Sequence, residues 1–320
     1  MRSRPLAIRD AVTDALRQVV KGETAAVRAE QLDVARHLSA AYAVAWQDSF
    51  LVREVERFAT WPPLSRAGKV WADSVRRAGI ASYGRDGPAS AIVIWRRGLR
   101  RVTAIHDTAG IAAIRGNIGA AFLEEGTLDS AQRHLESARA LAAVVGDVRV
   151  EGNATGMLAG LSADRGDVAT ARDLYTRALA LRERINDSRG MAADHNNLGL
   201  LAQDLGGLEE AERHFQSALA INRRDGRDDA AATNQLNLAG LATLSGDFTR
   251  AATLYRDALA VWRAAERWID AAAALRGLGQ IEVRRGDYPA AVTALREAHS
   301  ILTRTGPLNE RLLVERDLAA

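Results

Sequence analysis

From about residue 107 to residue 306, apolar positions recur at helical spacing and the whole pattern restarts every forty residues. In the stretch Asp187 to Gly226, Leu198 and Leu201 mark the apolar side of a first helix, and Gly206-Gly207 breaks it. Leu208 to Arg224 then forms a second helix carrying Ala211, Phe215 and Ala218. The breaking glycine returns without drift at Gly126, Gly166, Gly206, Gly246 and Gly286. In step with it run Ala131, Ala171, Ala211, Ala251 and Ala291, then Ala138, Ala178, Ala218, Ala258 and Ala298. Between those rows sits a bulky apolar residue: Leu135, Tyr175, Phe215, Tyr255 or Leu295. Small residues where two helices approach, with one large residue filling the gap, predict helical hairpins that bury their apolar stripes against one another.

The same register extends backwards. Gly79, Ala91, Trp95 and Gly98 occupy the equivalent places in a diverged unit, with Asp86-Gly87-Pro88 as its breaker. The pattern thus divides the chain into six units at 67–106, 107–146, 147–186, 187–226, 227–266 and 267–306. Residues 1–66 form a helical N-terminal cap, with Val12, Leu16 and Val19 at helical spacing and Trp61-Pro62-Pro63 as a stop. They also read as a degenerate repeat. Residues 307–320 are either a C-terminal capping helix or the start of a truncated seventh unit, because Leu318-Ala319 falls forty residues after Leu278-Gly279. Each breaking glycine suits a left-handed helix end. Asp167, Asp247 and Asp287, next in line, are good N-caps. The second helices are expected to end at Gly146, Asn186, Gly226, Glu266 and Gly306, four of them residues that tolerate the left-handed conformation.

Asn197-Leu198-Gly199, the Gly206 turn, Ala211, Phe215 and Ala218 together resemble the tetratricopeptide repeat. The units here are longer than its usual ~34 residues, and the proline near the end of the second helix is missing. The resemblance implies an all-α, right-handed superhelical solenoid whose inner groove binds peptides. Forty-residue variants are similar to the arrays of many bacterial signalling proteins, including arrays that precede CHAT (caspase-like) protease domains. The resemblance therefore implies a peptide-binding scaffold, regulating or recruiting substrates for such a protease in cis or in trans. A self-assembling structural adaptor forming homo-oligomers and a peptide-sensing regulator are the alternatives.

Composition narrows this further. Lys and Arg number 43 against 40 Asp and Glu, a net charge of +3, which gives no reason to expect nucleic acid as a partner. Nearly all the cations are arginine, with lysine only at Lys21 and Lys69. Cysteine is absent, which rules out disulfides and thiolate metal sites and fits a reducing, cytoplasmic setting. No apolar run follows the basic N-terminal residues, so neither a signal peptide nor a membrane span is expected.

The candidate binding residues lie on the first helices. Asn117, Asn153, Asn196, Asn197, Gln203 and Asn237 present amides, which offer donors and acceptors to a peptide backbone. By the resemblance, the Asn before Leu-Gly is a frequent contact, which points to Asn117, Asn197 and Asn237. Arg76, Arg77, Arg276 and Arg284, near both ends of the array, are placed to clamp carboxylates. The alternative is that the asparagines only bond neighbouring helices. No metal, cofactor or catalytic constellation is expected: the six histidines show no zinc spacing, and only His195, beside Asn196, merits a test. Asp225 to Asp229 lacks the closing Glu of a calcium loop, and Gly277-Leu278-Gly279 lacks the third glycine of a dinucleotide motif. Trp61, Trp71 and Trp95 gather near the N-terminal junction, and Trp262 and Trp268 come late; they read as packing residues or as an exposed aromatic patch for a partner.

Overall fold

A computed structural model describes residues 5–319; Met1 to Arg4 and Ala320 lie outside the described residues. Every regular element among the described residues is a helix, and the chain is all-α. The N-terminal segment gives α1 (Pro5–Lys21), α2 (Ala25–Trp46) and α3 (Phe50–Thr60). Hairpins follow: α4 (Pro63–Asp86) with α5 (Pro88–Ala104), α6 (Thr108–Glu124) with α7 (Leu128–Val145), and α8 (Val148–Asp164) with α9 (Val168–Arg184). Then come α10 (Ser188–Asp204) and α11 (Leu208–Arg224), α12 (Asp228–Leu244) and α13 (Phe248–Ala264), α14 (Trp268–Arg285) and α15 (Tyr288–Thr305), and finally α16 (Leu308–Ala319). No described helix is long and apolar enough to cross a membrane. The chain divides into two compact units, one ending at Gly190 and the other beginning at Met191, each a stack of helices.

The sequence punctuation acts as glycine chemistry requires. Gly126, Gly166, Gly206, Gly246 and Gly286 all take φ between 71° and 80°, the left-handed region that closes a helix. Asp167, Asp247 and Asp287 accept hydrogen bonds from the backbone N–H three residues on, at 3.0 to 3.2 Å. At the far end of the hairpins, Gly146, Asn186, Gly226 and Glu266 are left-handed, and so is His106. Gly306 departs from the expectation: its φ of −93° and ψ of 159° are extended, and the chain turns there into α16 without a left-handed cap.

The repeated small positions are where helices touch. Ala131, Ala138, Ala171, Ala178, Ala211 and Ala218 are fully buried. A Cβ added to Gly199 would meet the Phe215 ring at 2.6 Å, and one added to Gly119 or Gly279 would meet Leu135 or Leu295 at 2.7 and 2.6 Å. Leu135, Phe215 and Leu295 therefore sit directly on first-helix backbone. α16 lays Val314 into the cluster of Leu295, Ala298, Ile301 and Leu302.

In the unit that ends at Gly190, α1 to α3 reach beyond the first hairpin to the starts of α6 and α8. Val12, Leu16, Val19, Tyr42, Trp46, Val55 and Phe58 make one core there. Around it lie buried charges. Asp107, the N-cap of α6, takes Arg57 Nη2 at 3.3 Å and Lys69 Nζ at 3.2 Å. Asp147, the N-cap of α8, lies 3.5 Å from Arg9 Nη2, and Arg9 also reaches Asp48 at 3.7 Å. Burial works to lower the Lys69 ammonium, but the carboxylates of Asp107, Asp73 and Glu54 outweigh it and hold the lysine charged.

Candidate functional site

The predicted binding residues divide between the two units. From Met191 onward, an amide chain joins the first helices α10 and α12. Asn196 Oδ1 accepts from Asn234 Nδ2 at 3.0 Å and from Asn237 Nδ2 at 2.8 Å. Asn234 Oδ1 accepts in turn from Asn222 Nδ2 at 2.7 Å, and Asn222 Oδ1 from Arg227 Nε at 2.8 Å. Asn222 and Asn234 are buried, where an unanswered amide would be costly, so the chain specifies how the two hairpins meet. Asn196 and Asn237 thus bond neighbouring helices.

Asn197 and Gln203 are half-buried on α10, while Ala193, Leu200 and Asp204 are exposed. Leu200 lies one turn beyond Asn196, and Gly240 one turn beyond Asn237, so both continue the same side of the α10/α12 pair. A Cβ added at Gly240 would meet nothing within 4 Å.

The arginines have separate fates. Arg276 Nε bonds Asp317 Oδ2 at 2.7 Å, and Gln280 Nε2 bonds the same oxygen at 2.7 Å, so α16 answers both. Arg284 is exposed on α14. In the other unit, Arg77 Nη1 donates to Asp14 Oδ1 at 3.1 Å. Arg76 is half-buried, and its backbone oxygen accepts from Trp95 Nε1 at 3.0 Å. Asn153 is exposed on α8, and Asn117 is half-buried on α6 with its Nδ2 buried and lacking a partner among the described residues. The clamp expected of Arg77 and Arg276 is taken up by carboxylates of the chain itself.

One pair escaped sequence reasoning. His195 on α10 and His214 on α11 face each other with Nδ1 to Nδ1 at 3.0 Å. They are nineteen positions apart across a helix turn, a separation that matches no ligand motif. Burial, and then the neighbouring His214, push the His195 imidazole below its ordinary pKa, so it favours the neutral form. Among the described residues no group of three His, Cys, Asp or Glu is arranged to hold a metal ion. The tryptophans also separate: Trp95 and Trp262 are buried, Trp61 lies under Arg57, and Trp71 and Trp268 stay exposed.

Residues 151–224 and 228–304 match the tetratricopeptide repeat family. No curated protein matches the chain. Among solved structures, BtubC (BKLC) from P. vanneervenii is similar at 22% identity and a TM-score of 0.59, over 72% of this chain and 91% of that one. A STAND protein with a tetratricopeptide repeat sensor from Pyrococcus horikoshii has 13% identity and a TM-score of 0.62, over 94% of this chain and 50% of that one. A Rap protein complexed with competence and sporulation factor has 13% identity and a TM-score of 0.58, over 98% and 97% of the two chains. At such identities the likeness is one of fold. With the family match over residues 151–224 and 228–304, and the same hairpin geometry observed there, that part of the chain is built of tetratricopeptide repeats.

Proposed function

We propose that the chain is a binding scaffold in which the α10/α12 face holds an extended segment of a partner protein. Gly240 carries the reading. A glycine inside a helix costs ~1 kcal/mol relative to alanine, yet nothing in the fold occupies the space its side chain would fill. Close approach by an outside chain gives that glycine a purpose. Beside it, Leu200 is 39% exposed and Asn197 is half-buried, an apolar and an amide contact on the same helix. The face offers an apolar and an amide contact, the means of recognition, and the setting proposed for it is cytoplasmic.

The test is selection from a random-peptide display library. Peptides recovered on the wild-type protein should lose binding to the Gly240→Arg variant, which fills the space. They should keep it with Gln216→Arg, placed on the exposed side of α11. Failure to enrich any peptide, or equal binding to both variants, would overturn the reading.

A more specific role, regulating or feeding substrates to a caspase-like CHAT protease in cis or in trans, rests on the resemblance of the forty-residue repeats. The second reading is a regulator that senses a signalling ligand. It is favoured by likeness to the Rap protein complexed with competence and sporulation factor over nearly the full length of both chains.

A further inference from the structure

A second recognition surface lies in the first hairpin. A groove of about 680 Å³ opens between the start of α4 and the end of α5, lined by Ala67 and Trp71 from the one and Arg97, Arg100, Arg101 and Ala104 from the other. Helical spacing builds both walls. Leu64, Ala67 and Trp71 fall on one stripe of α4, and Arg97, Arg100, Arg101 and Ala104 on one stripe of α5. Gly68 brings the walls together, because a Cβ there would meet Arg101 Nε at 2.7 Å. Leu64 is 80% exposed and Trp71 43%, so the apolar wall has no full cover among the described residues.

Many arginines of this protein are answered by carboxylates: Arg36 by Glu56, Arg77 by Asp14, Arg165 by Asp129 and Arg276 by Asp317. Arg97, Arg100 and Arg101 differ. All three are exposed, and no carboxylate among the described residues pairs with them. In a chain whose net charge is only +3, three adjacent unanswered guanidiniums form a local field that an anion would satisfy. Guanidinium forks match carboxylates in geometry as well as charge.

We propose that the α4/α5 groove binds an acidic peptide segment of a partner protein, its carboxylates on Arg97, Arg100 and Arg101 and an apolar side chain against Trp71. The apolar wall favours this occupant over a bare phosphate, which would leave Trp71, Ala67 and Ala104 without contact. The short extent of the basic stripe, on a molecule otherwise near charge balance, disfavours nucleic acid, which needs a longer basic track. The groove shares no residue with the α10/α12 face, so the two are tested separately.

The probe is a fluorescein-labelled peptide alternating Glu and Asp around a central Phe, followed by fluorescence polarisation. The wild-type protein should bind it, more weakly as salt rises, and should not bind the same peptide with Gln and Asn in place of the acids. Replacing all three arginines by Gln should weaken binding by about tenfold or more. Trp71→Ala should weaken it independently, with circular dichroism unchanged in both variants, and Gly240→Arg should leave it as it was. Absence of binding to the wild type, or equal binding to the acidic and neutral peptides, would overturn the proposal. So would survival of binding in the arginine variant, or displacement of the peptide by a lower concentration of single-stranded oligonucleotide.

Discussion

At the scale of single residues, two glycines inside first helices do opposite things. Gly199 is required by packing, since its missing side chain is where the Phe215 ring lies. Alanine there must push an aromatic ring out of a closed core, and overpacking of this kind costs ~1–3 kcal/mol, more than the ~1 kcal/mol that alanine returns to the helix. At Gly240 the space is open, so alanine should give that return in full. We expect Gly199→Ala to lower the urea midpoint and Gly240→Ala to raise it. If the two moved together, the division between packing glycine and open glycine would be wrong. The repeat register could identify Gly199, because its place is glycine wherever Trp95, Leu135, Phe215 or Leu295 faces it. It could not settle the asparagines. An amide suits a peptide backbone and a neighbouring amide equally well, and only the positions of Asn234 and Asn222 show that Asn196 and Asn237 are engaged within the protein.

Among elements, the helix starts differ in how much depends on them. Asp247 caps α13 at an exposed turn, so Asp247→Ala should cost only about 1 kcal/mol. Asp107 caps α6 in the same way, but it is fully buried and also holds Arg57 and Lys69. Taking it away leaves a buried lysine with a weakened counter-charge, a loss of ~3–5 kcal/mol. Thermal denaturation of both variants would show the contrast, and equal shifts would mean that the ionic junction of α3, α4 and α6 contributes nothing beyond a cap. The two aspartates look alike in sequence. The helices of the hairpins were legible because each carries its own caps and breaker, and the period aligns them. The junction was not, because Arg57 and Lys69 lie far from Asp107 along the chain, one in the N-terminal cap and the other in the diverged first unit.

For the whole molecule, a chain built of hairpins in which each core residue touches its neighbours should fail locally rather than all at once. Phe215 is the sharpest place to look. It is fully buried and packs with Ala202, Ala211 and Leu219 and with Ala231, Leu238 and Leu241 of the next hairpin. Phe215→Ala removes the largest side chain of that cluster, at a cost of ~3–5 kcal/mol. If opening is confined to the helices that share the cluster, hydrogen exchange should accelerate by about a hundredfold or more in peptides from α10 to α12. Peptides from α1 to α6, whose cores are built around Val55, Trp95 and Ile118, should exchange as in the wild type. Acceleration spread evenly over the sixteen helices of the described residues would instead show one cooperative folding unit. The surfaces on α4/α5 and on α10/α12 would then rise and fall together, and loss of binding at either could no longer be attributed to local contacts alone.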